Sequence, residues 1–204
     1  MTTQKMALFG ILAFLSFTIS FLAFAAITPG YSHAVNTISE LGIAGSPYAA
    51  AWNGIGFGLV GLLVLPLAWS LWHQLRPASS DSLIAILVAI SGIGWSSLGL
   101  FPASPGFAPS TATTLHFVAV GTNYTAFLLA AFIFAIRLRN QPYWRSWALA
   151  SLILGLLGLT TFFIPPTLLP AAISQRLALV VYFLWLLGLG WAVMRQQRPS
   201  VTKP

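Results

Sequence analysis

The chain has no cysteine, which excludes a disulfide framework, a thiolate nucleophile, a Cys-ligated metal and an iron–sulfur cluster. Acidic residues are nearly missing as well, since Glu40 and Asp81 are the only two in 204 residues. Charged residues of both signs make up 5% of the chain, against about 25% in soluble domains. Polar stretches are confined to loops of about 8 to 25 residues, too short for an independent core. A soluble globular domain is therefore excluded.

What is present is apolar: 58% of the residues are hydrophobic and the mean hydropathy is +0.88. Six runs, 7–27, 50–72, 82–100, 115–136, 146–164 and 170–194, reach the roughly 18 to 20 residues that cross a hydrocarbon core of about 30 Å. Lipid supplies no hydrogen-bond partners, so each run must satisfy its own backbone as a helix. The expected fold is all-α, a polytopic six-helix transmembrane bundle forming one domain over 1–204, with outer loops 28–49, 101–114 and 165–169. The first run follows Lys5 and ends in Ala23-Phe24-Ala25, an A-x-A pattern like a signal-peptide cleavage site. It is longer than the roughly 7 to 15 apolar residues of a signal peptide, so it is read as a retained helix.

A net charge of +7 invites a nucleic-acid reading, but the basic residues stand in short clusters between apolar runs and form no stripe. Their placement is topological. With six alternating helices Lys5, Arg76, Arg137, Arg139, Arg145, Arg195, Arg198 and Lys203 share one side, and Arg176 alone takes the other. Basic short loops face the cytoplasm, so both termini are expected inside a prokaryotic cell membrane. Trp69, Trp72, Tyr143, Trp144, Trp147 and Trp191 fall near the inner interface, and Tyr31, Tyr48 and Trp52 near the outer one, where amphipathic rings anchor.

Small residues recur at helical spacing. Gly54, Gly58 and Gly61, then Gly92, Ser96 and Gly99, and Ser151, Gly155 and Gly158 each form one stripe, as do Ser16, Ser20 and Ala23. Such stripes let backbones approach closely, predicting a compact bundle without a wide pore. Ser46-Pro47 reads as a cap and first residue of the second helix, Pro170 as the opening of the sixth, and Pro165-Pro166 as the stop of the fifth. Asp81, with Ser79 and Ser80, is expected to cap the third. Thr37-Ile38-Ser39-Glu40 fits a capping box and predicts a short helical turn within the first outer loop.

Nearly all polar residues capable of chemistry fall on the outer side: Tyr31, His33, Asn36, Ser39, Glu40, Asn53, Ser104, His116, Asn123, Gln175 and Arg176. Glu40 is the one acid there and Arg176 the one permanent cation. Charges at membrane depth find partners, so a Glu40–Arg176 ion pair is expected, pinning the loop to the sixth helix. His116 shares a helix face with Asn123 and could pair with Glu40 as acid and base. The bland alternative is a histidine bonded to a loop carbonyl. A serine hydrolase would take Ser39 or Ser104 with His116 and Glu40, though no G-x-S-x-G elbow is present. His33 and His116 lack zinc-ligand spacing, and bis-histidine haem ligation, which can draw on different helices, is the lesser alternative because His33 falls in a loop, so no metal or cofactor is expected. Asn123-Tyr124-Thr125 matches a glycosylation sequon but lies inside an apolar run.

The runs Ile38-Ser39-Glu40-Leu41-Gly42, Gly45-Ser46-Pro47 with Asn53, Gly99 to Gly106 (GLFPASPG), Leu115-His116, and Ser174-Gln175-Arg176 with Trp185 resemble the prokaryotic six-helix membrane proteins grouped as domain of unknown function 998. The resemblance implies the six-helix fold and a shared outer cluster at Glu40, Asn53, Pro102, His116 and Arg176. Members often carry an acid after the Phe-Pro pair, where this chain has Ala103 and Ser104, which weakens a metal or two-carboxylate mechanism. The resemblance brings no activity with it. The expected function is binding of a membrane lipid or amphiphile, or service as an accessory subunit to a membrane-protein partner, through an outer pocket. Arg176, Asn53, Asn123, Gln175 and Ser39 would bind the ligand. The alternative is an intramembrane enzyme acting on a lipid or isoprenoid with Glu40 and His116 as catalytic residues, and a small transporter is a third class.

Overall fold

The computed structural model describes residues 3–75 and 82–195. Arg76, Arg198, Lys203 and the cap expected from Asp81 lie outside the described residues. Six long helices follow in order: α1 Thr3–Ile27, α2 Ala49–Leu75, α3 Ser82–Leu98, α4 Thr111–Leu138, α5 Arg145–Thr160 and α6 Ala171–Arg195. No strand occurs among the described residues. Four of these helices, α1, α2, α4 and α6, are long and apolar enough to cross a membrane, while α3 and α5 are apolar but shorter.

Each helix packs on its neighbours in sequence, and α1 closes the ring against α6. The middle of the ring is aromatic. Phe17 stacks on Phe183 with centroids 4.2 Å apart, and Trp95 lies over Tyr182 at 5.6 Å and edge-on to Phe17 at 5.4 Å. The polar groups at this depth serve one another. Asn123 Nδ2 donates to the Ser91 carbonyl and to Ser91 Oγ, Ser91 Oγ donates to the Tyr182 hydroxyl, and Trp185 Nε1 donates to Ser151 Oγ. Outside, Leu8, Leu12, Leu15, Ile19 and Leu22 run exposed along α1, and Leu149, Ile153, Leu156 and Leu157 along α5. Polar residues inside and broad apolar surface outside fit a lipid solvent, since monomeric soluble proteins rarely expose such patches. This is a membrane protein.

The basic residues gather at one end. Gln74 Nε2 donates to the Val193 carbonyl and Tyr143 to the Ala192 carbonyl, bringing the ends of α2 and α6 together with the α4–α5 turn. Lys5, Arg137, Arg139, Arg145 and Arg195 lie on this end, and Arg176 at the other.

Three local features depart from the sequence reading. Ser46-Pro47 forms a turn, in which the Ser46 carbonyl accepts the Ala49 N–H, and α2 starts at Ala49 behind Tyr48. Helix α5 stops at Thr160, before Pro165-Pro166, because Thr161 Oγ1 turns back to the Gly158 carbonyl at 2.6 Å and 161–169 continues as turns. Within α2 the glycine-rich segment Asn53–Leu59 is wound as a π-helix. Its wide turn frees carbonyls that α3 then takes: Trp95 Nε1 donates to Gly56 O at 3.0 Å and Ser96 Oγ to Gly58 O at 3.1 Å. Pro170 stands at the start of α6 as expected, its carbonyl accepting the Ile173 and Ser174 N–H groups.

The glycine stripes on α2 and α3 meet at Gly61 and Gly92. A methyl on Gly92 would come within 2.9 Å of both the Gly61 carbonyl and Val64 Cβ, whereas one on Gly54 meets nothing within 4 Å. Gly92→Ala is therefore expected to cost about 1–3 kcal/mol through overpacking and to lower the melting temperature in detergent. Gly54→Ala, which adds the same methyl to open space, should leave it undiminished. Equal losses in both would sink the close-approach argument.

Candidate functional site

The site is built from the loop between α1 and α2, 28–48, laid over the ring. Thr37 to Gly42 makes the anticipated helical turn, a 3-10 helix over Ile38–Gly42. Glu40 closes the turn on itself: its Oε1 accepts the Thr37 N–H at 2.8 Å and the Thr37 hydroxyl at 2.9 Å. The turn drives Ile38 and Leu41 into the bundle, where they are 2% and 1% exposed. Beyond it, Asn53 Nδ2 donates to the Gly42 carbonyl at 2.9 Å, so the end of the turn is tied to the π-segment of α2.

The expected Glu40–Arg176 ion pair does not form. Arg176 instead donates from Nη2 to the Tyr31 hydroxyl at 2.8 Å and the Asn36 carbonyl at 2.9 Å, and from Nη1 to the Ala172 carbonyl at 2.7 Å. Its guanidinium also lies 5.5 Å from the Phe21 ring centroid, within cation–π range. Glu40 Oε2 takes the Asn36 side-chain amide at 2.6 Å. Asn36 therefore stands between the two charges, its carbonyl facing the cation and its amide the anion. The physical reason is local: the carboxylate is needed to satisfy the orphan donors of its own turn, which leaves the cation to backbone and phenol oxygens.

The Glu40–His116 acid/base pair is likewise absent as a contact. His116 is 2% exposed and fully engaged, with Nδ1 2.9 Å from the Phe101 carbonyl and Nε2 3.1 Å from Ser39 Oγ. A carbonyl only accepts, so Nδ1 carries the proton of the neutral ring and Nε2 accepts from the Ser39 hydroxyl. Of the two serines considered for a nucleophile, Ser39 alone meets the histidine. Ser104 is bound to Ser110 Oγ at 2.8 Å and through its N–H to Thr113 Oγ1, a cap at the start of α4.

Beneath the turn lies a cavity of about 220 Å³ between α3, α4 and α6, lined by Ser39, Asn123, Ser174 and Gln175 with the apolar side chains of Phe57, Trp95, Leu98, Phe162 and Leu179 among its walls. Its origin is the short α5. Sixteen residues rise only about 24 Å, so α5 fails to fill the loop-covered end of the gap between α4 and α6, and Thr161 and Phe162 close it from the turn. The Gln175 side chain is held by the loop, its Oε1 accepting the Ile38 N–H at 2.7 Å, while its Nε2 lies 3.5 Å from Ser39 Oγ. Ser174 Oγ is buried and has no hydrogen-bond partner.

Of the residues proposed from sequence to bind a ligand, Ser39, Asn123 and Gln175 line this cavity; Arg176 and Asn53 do not. Asn123 Nδ2 is already given to Ser91, and His33 sits edge-on to Phe21 and Tyr31. Tyr31, read both as an interface anchor and as one of the polar residues capable of chemistry, proves to be a ligand of Arg176, and Ser174, named from sequence only within the family-like run Ser174-Gln175-Arg176, lines the cavity. No group of three or more metal-ligating residues occurs among the described residues.

The fold and site define an all-helical membrane protein with a loop-covered cavity at one end. The chain belongs to the family described as "Protein of unknown function (DUF998)", which matches residues 11–192. No curated protein and no solved structure matches it.

Burial raises the Tyr31 phenol above its ordinary value, Arg176 pulls it back and Glu40 adds to the rise. A raised folded value means the loop holds the neutral phenol. Its stabilisation is complete below the unfolded value of about 10 and is lost as pH rises through the folded one. Tyr31→Phe should lower stability at neutral pH by about 1.5–3 kcal/mol, the worth of a hydrogen bond to a charged group, and should flatten the alkaline decline. Melting curves of both proteins between neutral and strongly alkaline pH measure this; parallel declines would assign the alkaline loss elsewhere.

Proposed function

We propose that this protein binds a single-chain amphiphile with an uncharged polar head, its chain in the cavity and its head against Ser39, Ser174 and Gln175. The observation that carries the reading is the cavity's lining: apolar walls, polar groups drawn together at the loop, and a buried hydroxyl on Ser174 that no protein group partners. Buried polar groups are normally satisfied, and the head group of a ligand would satisfy this one. No lining residue carries a formal charge, which favours an ester, amide or alcohol head over a phosphate. Arg176, with both Nη groups occupied, acts in this reading as the fastener of the loop. The cavity's 220 Å³ falls below the roughly 300–1,000 Å³ of sites for drug-sized ligands, so it suits part of one chain and not a two-chain phospholipid.

In the same proposal all six helices cross a prokaryotic cell membrane, with both termini cytoplasmic and the cavity at the outer face. Support comes from the basic residues gathered at the opposite end, as cytoplasmic ends require.

N-decylacetamide, neutral and unreactive, is a suitable probe. Native mass spectrometry of the protein in a mild detergent should show one bound copy per chain. Ala178→Phe, which places a ring in the cavity wall, should reduce occupancy about tenfold, a loss of roughly 1.4 kcal/mol. Undiminished binding in that variant would place the ligand elsewhere and end this reading.

A further inference from the structure

At the polar end of the cavity, three groups stand in a line that binding alone does not require. The Phe101 carbonyl orients the His116 ring through Nδ1, and the ring's free lone pair on Nε2 meets Ser39 Oγ at 3.1 Å. Ser39 in turn lines the cavity. On its other side the Gln175 amide N–H approaches Ser39 Oγ at 3.5 Å, and that amide cannot turn freely because its oxygen holds the Ile38 N–H. A hydroxyl whose proton is given to an oriented imidazole, with a neutral donor beside it and open apolar space in front, is the arrangement of an activated nucleophile.

We propose that Ser39 is a nucleophile with His116 as its base, and that the amphiphile is an ester whose acyl chain enters the cavity. This rests on the binding reading above. Ser39 Oγ bonds to the acyl carbonyl carbon while its proton passes to His116 Nε2. The carbonyl π pair moves onto oxygen, where the Gln175 N–H donates to the developing charge. Collapse breaks the bond to the leaving alcohol oxygen, which takes the proton from Nε2 and departs, leaving acyl-Ser39. Water then repeats the sequence: it gives a proton to Nε2, bonds to the acyl carbon and releases the carboxylic acid, and the proton returns to Ser39 Oγ. The substrate class is a neutral, single-chain acyl ester.

Both groups are held rigidly for this task. Ser39 stands on the 3-10 turn closed by Glu40 and fastened through Asn36 to Arg176, and the imidazole is fixed at both nitrogens. The missing element is a carboxylate behind the histidine, whose place the Phe101 carbonyl takes. A carbonyl fixes the tautomer but offers less stabilisation to an imidazolium than an anion does, which predicts slow turnover and an acyl-Ser39 that accumulates.

The test uses the full chain in detergent with p-nitrophenyl decanoate. A burst of p-nitrophenolate and one decanoyl adduct per chain, mapped to Ser39, are expected. Ser39→Ala should abolish the adduct in a protein whose melting temperature in detergent shows that it is folded. His116→Asn should cut the acylation rate by about a hundredfold or more, the usual range for a general base. Were that variant to misfold, Ser39→Ala, which removes only a hydroxyl, still decides the nucleophile. Binding of the amide without any Ser39 adduct overturns the proposal and leaves the binding reading standing, and so does an adduct at any other residue. An adduct on Ser39 that forms equally fast in a folded His116→Asn protein removes the histidine from the mechanism. If the wild type neither binds the amide nor reacts, both readings fall together.

Discussion

The loop-covered end of the molecule depends on one half-buried guanidinium. Arg176 reaches from the second turn of α6 to the Asn36 carbonyl and the Tyr31 hydroxyl, and this charged contact joins the ties from Gln175, Asn53 and His116 in holding the polar loop against the bundle. Hydrogen bonds from a charged donor are worth about 1.5–3 kcal/mol each, and at membrane depth an unpartnered cation would cost several times as much. The loop therefore supplies the oxygens the cation needs, and the cation supplies the anchor the loop lacks. Everything above the cavity follows from that exchange: the 3-10 turn is placed, Ile38 and Leu41 are driven inward, and Ser39 is brought to His116.

Glu40 and Arg176 show how a correct list of residues can yield a wrong contact. Opposite charges on one side of a membrane protein suggest an ion pair, because bare charges are costly there. The sequence also showed Glu40 three residues after Thr37, with a capping role of its own. Two demands fell on one carboxylate, and the shorter-range one won, since the turn's own N–H and hydroxyl groups are adjacent to it by construction. Asn36 resolves the conflict by presenting an acceptor to one charge and a donor to the other. Nothing in the spacing of the sequence distinguishes Asn36 from any other loop asparagine.

The helices were legible for the opposite reason. In lipid, apolar length alone specifies a helix, so six spans were expected, and the described residues hold six helices, four of them long and apolar enough to cross a membrane, with starts and stops displaced by a few residues. At α5 a side chain marks the end, Thr161 turning back before the prolines are reached, and at α2 a backbone turn from Ser46 to Ala49 takes the place where Ser46-Pro47 was expected to open the helix. The π-helical winding of Asn53–Leu59 was hidden, because three alternate glycines mark only weak local preference. Which carbonyls they release, and that Trp95 and Ser96 of α3 collect them, is a property of the packed pair. The cavity was hidden too, being a volume that no single segment encodes.

That volume connects the early stop of α5 to the chemistry proposed for Ser39. Had α5 run on to the prolines, its last turn would occupy the gap between α4 and α6, and the Ser39 hydroxyl would meet packed side chains. Because it ends at Thr160, the space remains, and the groups assembled at its polar end come from three parts of the chain: a loop serine, a histidine behind it from the second turn of α4, and an amide from α6. Their meeting requires the loop to be docked, and the loop is docked by Arg176, one residue beyond Gln175. Adjacent residues of α6 thus divide the work: Arg176 holds the loop from outside the cavity while Gln175, inside it, grips the Ile38 backbone and faces the serine. A change that loosens the first must displace the second, so the cavity's polar end and the loop's fastening are one structure.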